Sequence, residues 1–147
     1  MNSQQIEAIL YKSKYTKHLF LGCHPFDHID KCLFKSKKLK ILIFNTDISG
    51  GPGQHWFLVL LRNNHCEIYD SLHFVTPNIK IKRREPFRVQ SLTSNACGAH
   101  TVLLAVLYAI KVPRADIYKH VYRKDKFSYN DALAKRFTRH YAKTLFR

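Results

Sequence analysis

The sequence predicts a single α+β domain, and three observations carry that prediction. The chain has 147 residues, of which 46% are hydrophobic and 13% aromatic, enough for one core and short for two. Its middle holds apolar runs of strand length joined by turn residues, and segments before and after them carry apolar residues at helical spacing. The whole of 1–147 is therefore expected to fold as one unit, with the elements that carry its candidate chemistry at 39–110 and a basic helical tail at 111–147.

Taken in order, Ile6, Ile9 and Leu10 mark one face of a first helix, with Asn2 as its cap. The stretch Gly22 to Asp30 breaks that pattern and reads as irregular. Leu39 to Phe44 is apolar and Ile-rich, a strand; Gly50-Gly51-Pro52-Gly53 is a loop; Trp56 to Leu61 is a continuous apolar run suited to a strand buried on both faces. Asn63-Asn64 is a two-residue hairpin turn that returns the chain through Cys66 to Tyr69. A further strand is expected over Asn78 to Lys82. After Ser94-Asn95, Ala96 to Ile110 reads as a buried helix that Pro113 ends. In the tail, Leu133, Phe137, Tyr141 and Leu145 fall at four-residue steps, an amphipathic helix with a basic outer face and Ser128 or Asn130 as its cap. Tyr118, Tyr122, Phe127 and Tyr129 interleave with the bases there, and packing into the core is favoured over stacking on nucleic acid.

Charge narrows the partners. Twenty-five Lys and Arg face ten Asp and Glu, a formal charge of +15, which disfavours compactness unless polyanions screen it. The bases lie in blocks at Lys31 to Lys40, Lys80 to Arg88 and Lys111 to Arg147. A nucleic acid partner is the leading explanation, with Lys80, Lys82, Arg83, Arg84, Arg136 and Arg139 as candidate phosphate contacts. The longest apolar run, Val102 to Ile110, is too short to cross a bilayer, and the polar start has no signal-peptide pattern. Neither a membrane span nor secretion is expected. Four cysteines without a secretion signal point to a reducing compartment. Cys23, His24, His28 and Cys32 lack the paired C-x-x-C spacing of structural zinc motifs, so no metal is expected.

A cysteine at the start of a buried helix is a candidate nucleophile, because the backbone amides and dipole there stabilise thiolate. Cys97 has that setting, and its neighbours Ala96, Gly98 and Ala99 leave room for a substrate backbone. The competing view of the same residue is a small packing thiol. A base must accompany it. If residue 62 pairs with 65 across the hairpin, His55 falls opposite Leu72, and Asp70 sits diagonal to it on the same face, while Glu67 points to the other. Gln90, seven residues before Cys97, can fold back so that its amide and the Cys97 N–H face one oxyanion.

Taken together, His55-Trp56, Tyr69-Asp70-Ser71-Leu72, Gln90 and Asn95-Ala96-Cys97-Gly98 resemble the adenain family, the maturation proteases of adenoviruses, distantly akin to SUMO and ubiquitin-like proteases. The order His, acid, Gln, Cys separates this pattern from papain-like enzymes, in which Cys precedes His. Phe20-Leu21-Gly22 and the stretch from Leu39 to Trp56 extend the match, which covers about residues 6 to 110. The seven-residue step from Gln90 to Cys97 looks like adenain, whereas Asp70 in Asp-Ser-Leu looks like the SUMO-protease branch.

The resemblance implies a central mixed or antiparallel sheet flanked by helices and a monomeric cysteine endopeptidase. Its catalytic residues would be Cys97, His55 and Asp70, with Gln90 in the oxyanion hole. It further implies viral capsid or core precursors as substrates, double-stranded DNA as an activator, an activating viral peptide, and location in the host nucleus and virion of an adenovirus-like virus or related element. No cysteine lies between Cys66 and Cys97 to hold such a peptide by a disulfide. A deconjugase of SUMO-like or ubiquitin-like modifiers shares the same site pattern, and a non-catalytic DNA-packing protein accounts for the charge alone.

Overall fold

The computed structural model describes residues 1–47 and 55–147. The Gly50 to Gly53 loop expected from the sequence lies outside the described residues. Helix α1 spans Ser3–Lys12, and Asn2 caps it: its side chain accepts from Gln5 N while Gln5 Oε1 accepts from Asn2 N. Ile6, Ile9 and Leu10 are its buried face.

Five strands form one mixed sheet in chain order: β1 (Phe20–His24), β2 (Lys40–Asn45), β3 (Trp56–Arg62), β4 (His65–Tyr69) and β5 (Arg83–Arg84). β1 runs parallel to β2, the next two pairs are antiparallel, and β5 runs parallel to β4. The Asn63-Asn64 turn holds, with Arg62 paired to His65. Both asparagines have positive φ, 54° and 60°, as a two-residue turn that follows the strands' twist requires.

The sheet is buried on both faces, which explains the unbroken apolar run of β3. On one face Leu58 and Leu60 join Ile41, Ile43 and Tyr69 beneath helices; on the other Phe57, Val59 and Leu61 join Leu42, Phe44 and Ile68. The helical face is covered by α1, by α3 (Cys97–Ala109) and by α5 (Phe127–Leu145). Between these two come a short α4 (Arg114–Asp116) and a π-turn over Ile117–Val121.

Three expectations need correction. Gly22 to Asp30 is not irregular: it carries most of β1, a 3-10 turn at Phe26–His28 and a short helix α2 at Ile29–Cys32. Gly22, at φ 96°, hides the strand from its sequence pattern. No strand covers Asn78 to Lys82; the pairing starts one residue later, at Arg83 and Arg84, whose side chains gave no apolar signal. The residue flanking α5 is Lys126, with no side-chain cap, and Ser128 and Asn130 lie inside the helix. Asn130 is fully buried and spends its amide on the chain elsewhere: Oδ1 accepts from Arg123 N, and Nδ2 donates to Arg123 O and Val89 O.

Candidate active site

Sequence alternation and the hairpin register place the base and its acid. Leu58 pairs with Tyr69, so His55, just before β3, and Asp70, just after β4, meet diagonally at one end of the sheet. His55 Nε2–H donates to Asp70 Oδ1 over 2.5 Å, and both side chains are buried. Glu67 does face the other way, where Arg62 grips it with two hydrogen bonds of 2.6 and 2.9 Å and the Tyr69 hydroxyl donates to it.

The Asp70 carboxylate is fully subscribed by a tight turn. Oδ1 also accepts from Leu72 N, and Oδ2 accepts from Phe74 N and Val75 N at 2.9 and 2.8 Å. Burial pushes its pKa up, but the His55 contact and these backbone donors outweigh that and hold it below the usual carboxylate value. An ionised, immobile acceptor fixes the ring so that Nδ1 is left for another partner.

Cys97, the first residue of α3, lines the same cleft as His55. Ala96 offers no side chain to cap the helix, so the first-turn N–H groups face whatever sits at this end. Burial raises a thiol's pKa. Here the hydrogen bond to His55, the Trp56 backbone N–H, the imidazole's charge and the Gly98 N–H more than cancel it, and Cys97 falls below its ordinary value. For His55 the balance runs the other way: burial depresses it, while the hydrogen bonds and charges of Asp70 and Cys97 raise it to about 9. Both directions favour a thiolate–imidazolium pair at neutral pH.

Gln90 reaches the same cleft. Ser71 Oγ donates to its Oε1 over 2.5 Å and its Nε2 donates to Ser94 O over 2.9 Å, which leaves the second N–H of the amide without a protein acceptor among the described residues. With Thr46, His55, Trp56, Leu72, Ser94, Asn95 and Cys97 it lines a cleft of about 480 Å³. Phe74 and Leu92, which are 55% and 69% exposed, form an apolar rim on that cleft. Trp56 closes one side, its Nε1–H donating to Met1 O.

Several residues that position this site escape sequence analysis. Glu85 is buried behind Asp70, accepting from Asp70 N, His73 and Arg84. The segment carrying Gln90 is held from both sides. Ser71 O accepts from Val89 N and Gln90 N, while α5 contributes Asn130 to Val89 O and Asp131 Oδ2 to Ser91 N. Asp131 Oδ1 accepts from Nε2 of His100, one turn into α3, and the Tyr122 hydroxyl meets the other ring nitrogen, each at 2.9 Å. Burial is the largest influence on His100 and lowers its pKa, so the ring is neutral, donating at one nitrogen and accepting at the other. Asn130 and Asp131 have a faint signal, two polar residues interrupting an otherwise apolar-periodic face; His100 has only its spacing of three from Cys97.

Of the basic candidates, Lys80, Lys82, Arg83, Arg136 and Arg139 are exposed. Arg84 is not free: its guanidinium donates to Glu85 and to Val75 O. Tyr118 and Tyr122 are buried, whereas Phe127 and Tyr129 lie under Arg88 and Arg123, each with the guanidinium 4.1 Å from the ring centre.

No protein-family model matches the chain, and no curated protein is similar to it at a significant level. Among solved structures, the fold is similar to that of the ASFV pS273R protease, with a TM-score of 0.59 at 14% identity. The alignment covers 91% of this chain and 66% of that one, so the chain spans just under two thirds of the viral protease's length. At that identity the likeness establishes a shared fold, a mixed sheet flanked by helices of the ubiquitin-like-protease type.

Proposed function

We propose that this protein is a cysteine endopeptidase of the adenain-like class that cuts viral precursor proteins during particle maturation. The observation that carries the proposal is the meeting of three side chains at one helix start: Cys97 and His55 line one cleft, and His55 is hydrogen-bonded to a carboxylate saturated with donors. The shared fold with a viral protease supports the reading, and the seven-residue step from Gln90 to Cys97 is the feature that resembles adenain.

The chemistry follows from the geometry. The Cys97 thiolate adds to the scissile carbonyl carbon, and the oxygen takes up the electron pair of the broken π bond. The Cys97 N–H and the free N–H of Gln90 stabilise that oxyanion. As the tetrahedral intermediate collapses, the imidazolium of His55 gives its proton to the leaving amine, and a thioester remains on Cys97. A water then loses a proton to His55 as it attacks the thioester, and the acid product departs with the thiolate restored. Asp70 remains ionised throughout and holds the ring. By resemblance to adenain the substrates carry glycine near the scissile bond, and the exposed Phe74 and Leu92 offer apolar contact to the peptide. The excess positive charge draws enzyme and DNA-bound substrates onto one polymer, which is the proposed role of double-stranded DNA.

The test is cleavage of a glycine-containing peptide library by the wild type and Cys97→Ala, with and without duplex DNA, over a salt series. Cleavage that disappears in the variant, rises with DNA and fades with salt supports the whole reading. Cleavage indifferent to DNA, with efficient release of a folded ubiquitin-like modifier, moves the assignment to a deconjugase. Equal inactivity of both proteins, with and without added viral peptide, removes the enzyme reading.

A further inference from the structure

Away from the catalytic end, the sheet carries a second concavity of about 810 Å³. Its walls come from five places: the loop before β2 (Lys37, Lys38), the β3–β4 hairpin (Arg62, His65, Glu67), the start of β5 (Lys82, Arg83), the end of α3 (Tyr108, Lys111) and α4 (Arg114). β3 and α3 both run from the catalytic end to this one, about 20 Å along seven strand residues or thirteen helical ones. The cleft is therefore separate from the cysteine site.

Seven cationic side chains converge there on one carboxylate, Glu67, which Arg62 already neutralises through a two-pronged contact. Arg114 spends its guanidinium on Arg84 O. Lys37, Lys38, Lys82, Arg83 and Lys111 are all exposed and make no side-chain hydrogen bond or ion pair among the described residues.

Backbone bonds nevertheless fix the segments that bear them. Asn63 N and Asn64 N donate to Lys37 O and Ser36 O, Lys82 N donates to Cys66 O, and Lys111 N donates to Tyr108 O in a left-handed turn of φ 66°. Like charges clustered without counter-charge are held together here at a cost in self-repulsion that a ligand can relieve. Lysine ammonium groups meet phosphates as point charges, without the planar match that arginine offers carboxylates. A concave site with several such charges calls for several negative charges within a small volume.

We propose that this cleft is a binding site for clustered phosphate groups, remote from the cysteine and independent of whether the cysteine acts as a protease. Two sources share that chemistry, the backbone of a nucleic acid and a compact polyphosphate. Binding is measured at physiological ionic strength with two probes, a short fluorescein-labelled oligonucleotide by polarisation and inositol hexakisphosphate by calorimetry. The variant Lys38→Glu/Lys82→Glu changes the cleft; Lys135→Glu/Lys143→Glu makes the same charge change on exposed α5 positions.

The expected result is at least a roughly tenfold loss of affinity in the cleft variant for one or both probes, against less than about threefold in the α5 variant. The probe that shows this loss identifies the source, and loss for both means that each supplies the same phosphate cluster. If the Glu substitutions prevent folding, Lys38→Gln/Lys82→Gln is compared with Lys135→Gln/Lys143→Gln for the same asymmetry. Equal losses in cleft and α5 variants, or no binding of either probe by the wild type, overturns the proposal.

Discussion

Cys97 differs from the other three cysteines in a way that can be measured directly. Burial pushes Cys23, Cys32 and Cys66 upward, Cys66 to about 11, while the His55 contact and helix-start amides bring Cys97 below its usual value. At neutral pH, limiting iodoacetamide should therefore label Cys97 first, as peptide mapping by mass spectrometry will show; even labelling of all four would count against an activated thiol. The pH dependence has a definite sign. Activity requires thiolate and imidazolium together, so kcat/KM rises as Cys97 loses its proton, below the ordinary thiol range, and falls as His55 loses its own at about 9. In Cys97→Ala the counter-charge is gone, and the His55 titration followed by NMR should move down from about 9. Asp70→Asn keeps the shape but replaces a charged acceptor with an amide, and kcat should fall by roughly 10²- to 10⁴-fold with little change in KM.

Elements set how accurately these groups meet. Helix α5, one of the three helices covering the sheet, reaches the oxyanion side of the site through Asn130 and Asp131. Asp131→Ala strands the buried N–H of His100 and releases Ser91, so it should cost about 1–3 kcal/mol in stability by denaturant titration. It should also lower kcat more than it raises KM, because Gln90 loses part of its support. A purely structural role would reduce stability and leave kcat of the folded fraction unchanged. The start of α3 is tight as well. A Cβ on Gly98 would come within 2.9 Å of the Met1 side chain, so this position next to Cys97 admits no larger residue without a shift of Met1 or of the start of α3.

For the whole molecule, two apolar layers on one five-stranded sheet must outweigh the repulsion of a +15 chain. Leu60 lies in the central strand with no exposure, packed in the helical layer. Leu60→Ala should cost about 2–5 kcal/mol, read by chemical denaturation. Architecture also separates the two clefts: the strand ends and helix start nearest His55 line one, and the opposite ends of the same elements gather cations around the other.

Features that depend on short-range rules are legible along the chain alone. Asn2 with Gln5, Asn63-Asn64 and the run Trp56 to Leu61 each state their local geometry, and alternation through that hairpin was enough to set His55 diagonal to Asp70. Only the tertiary structure decided what depends on partners distant in the chain. Gly22 concealed β1 because the strand is made by pairing with β2, not by its own pattern. Asn130 looked like a cap because a short polar side chain suits one, yet its amide satisfies a loop 41 residues earlier. Glu85 carries no local signal, His100 only its spacing from Cys97 and Asp131 only a faint break in an apolar face, since a buried polar group is defined by the hydrogen bonds that compensate its burial, and these partners lie 12 to 40 residues away.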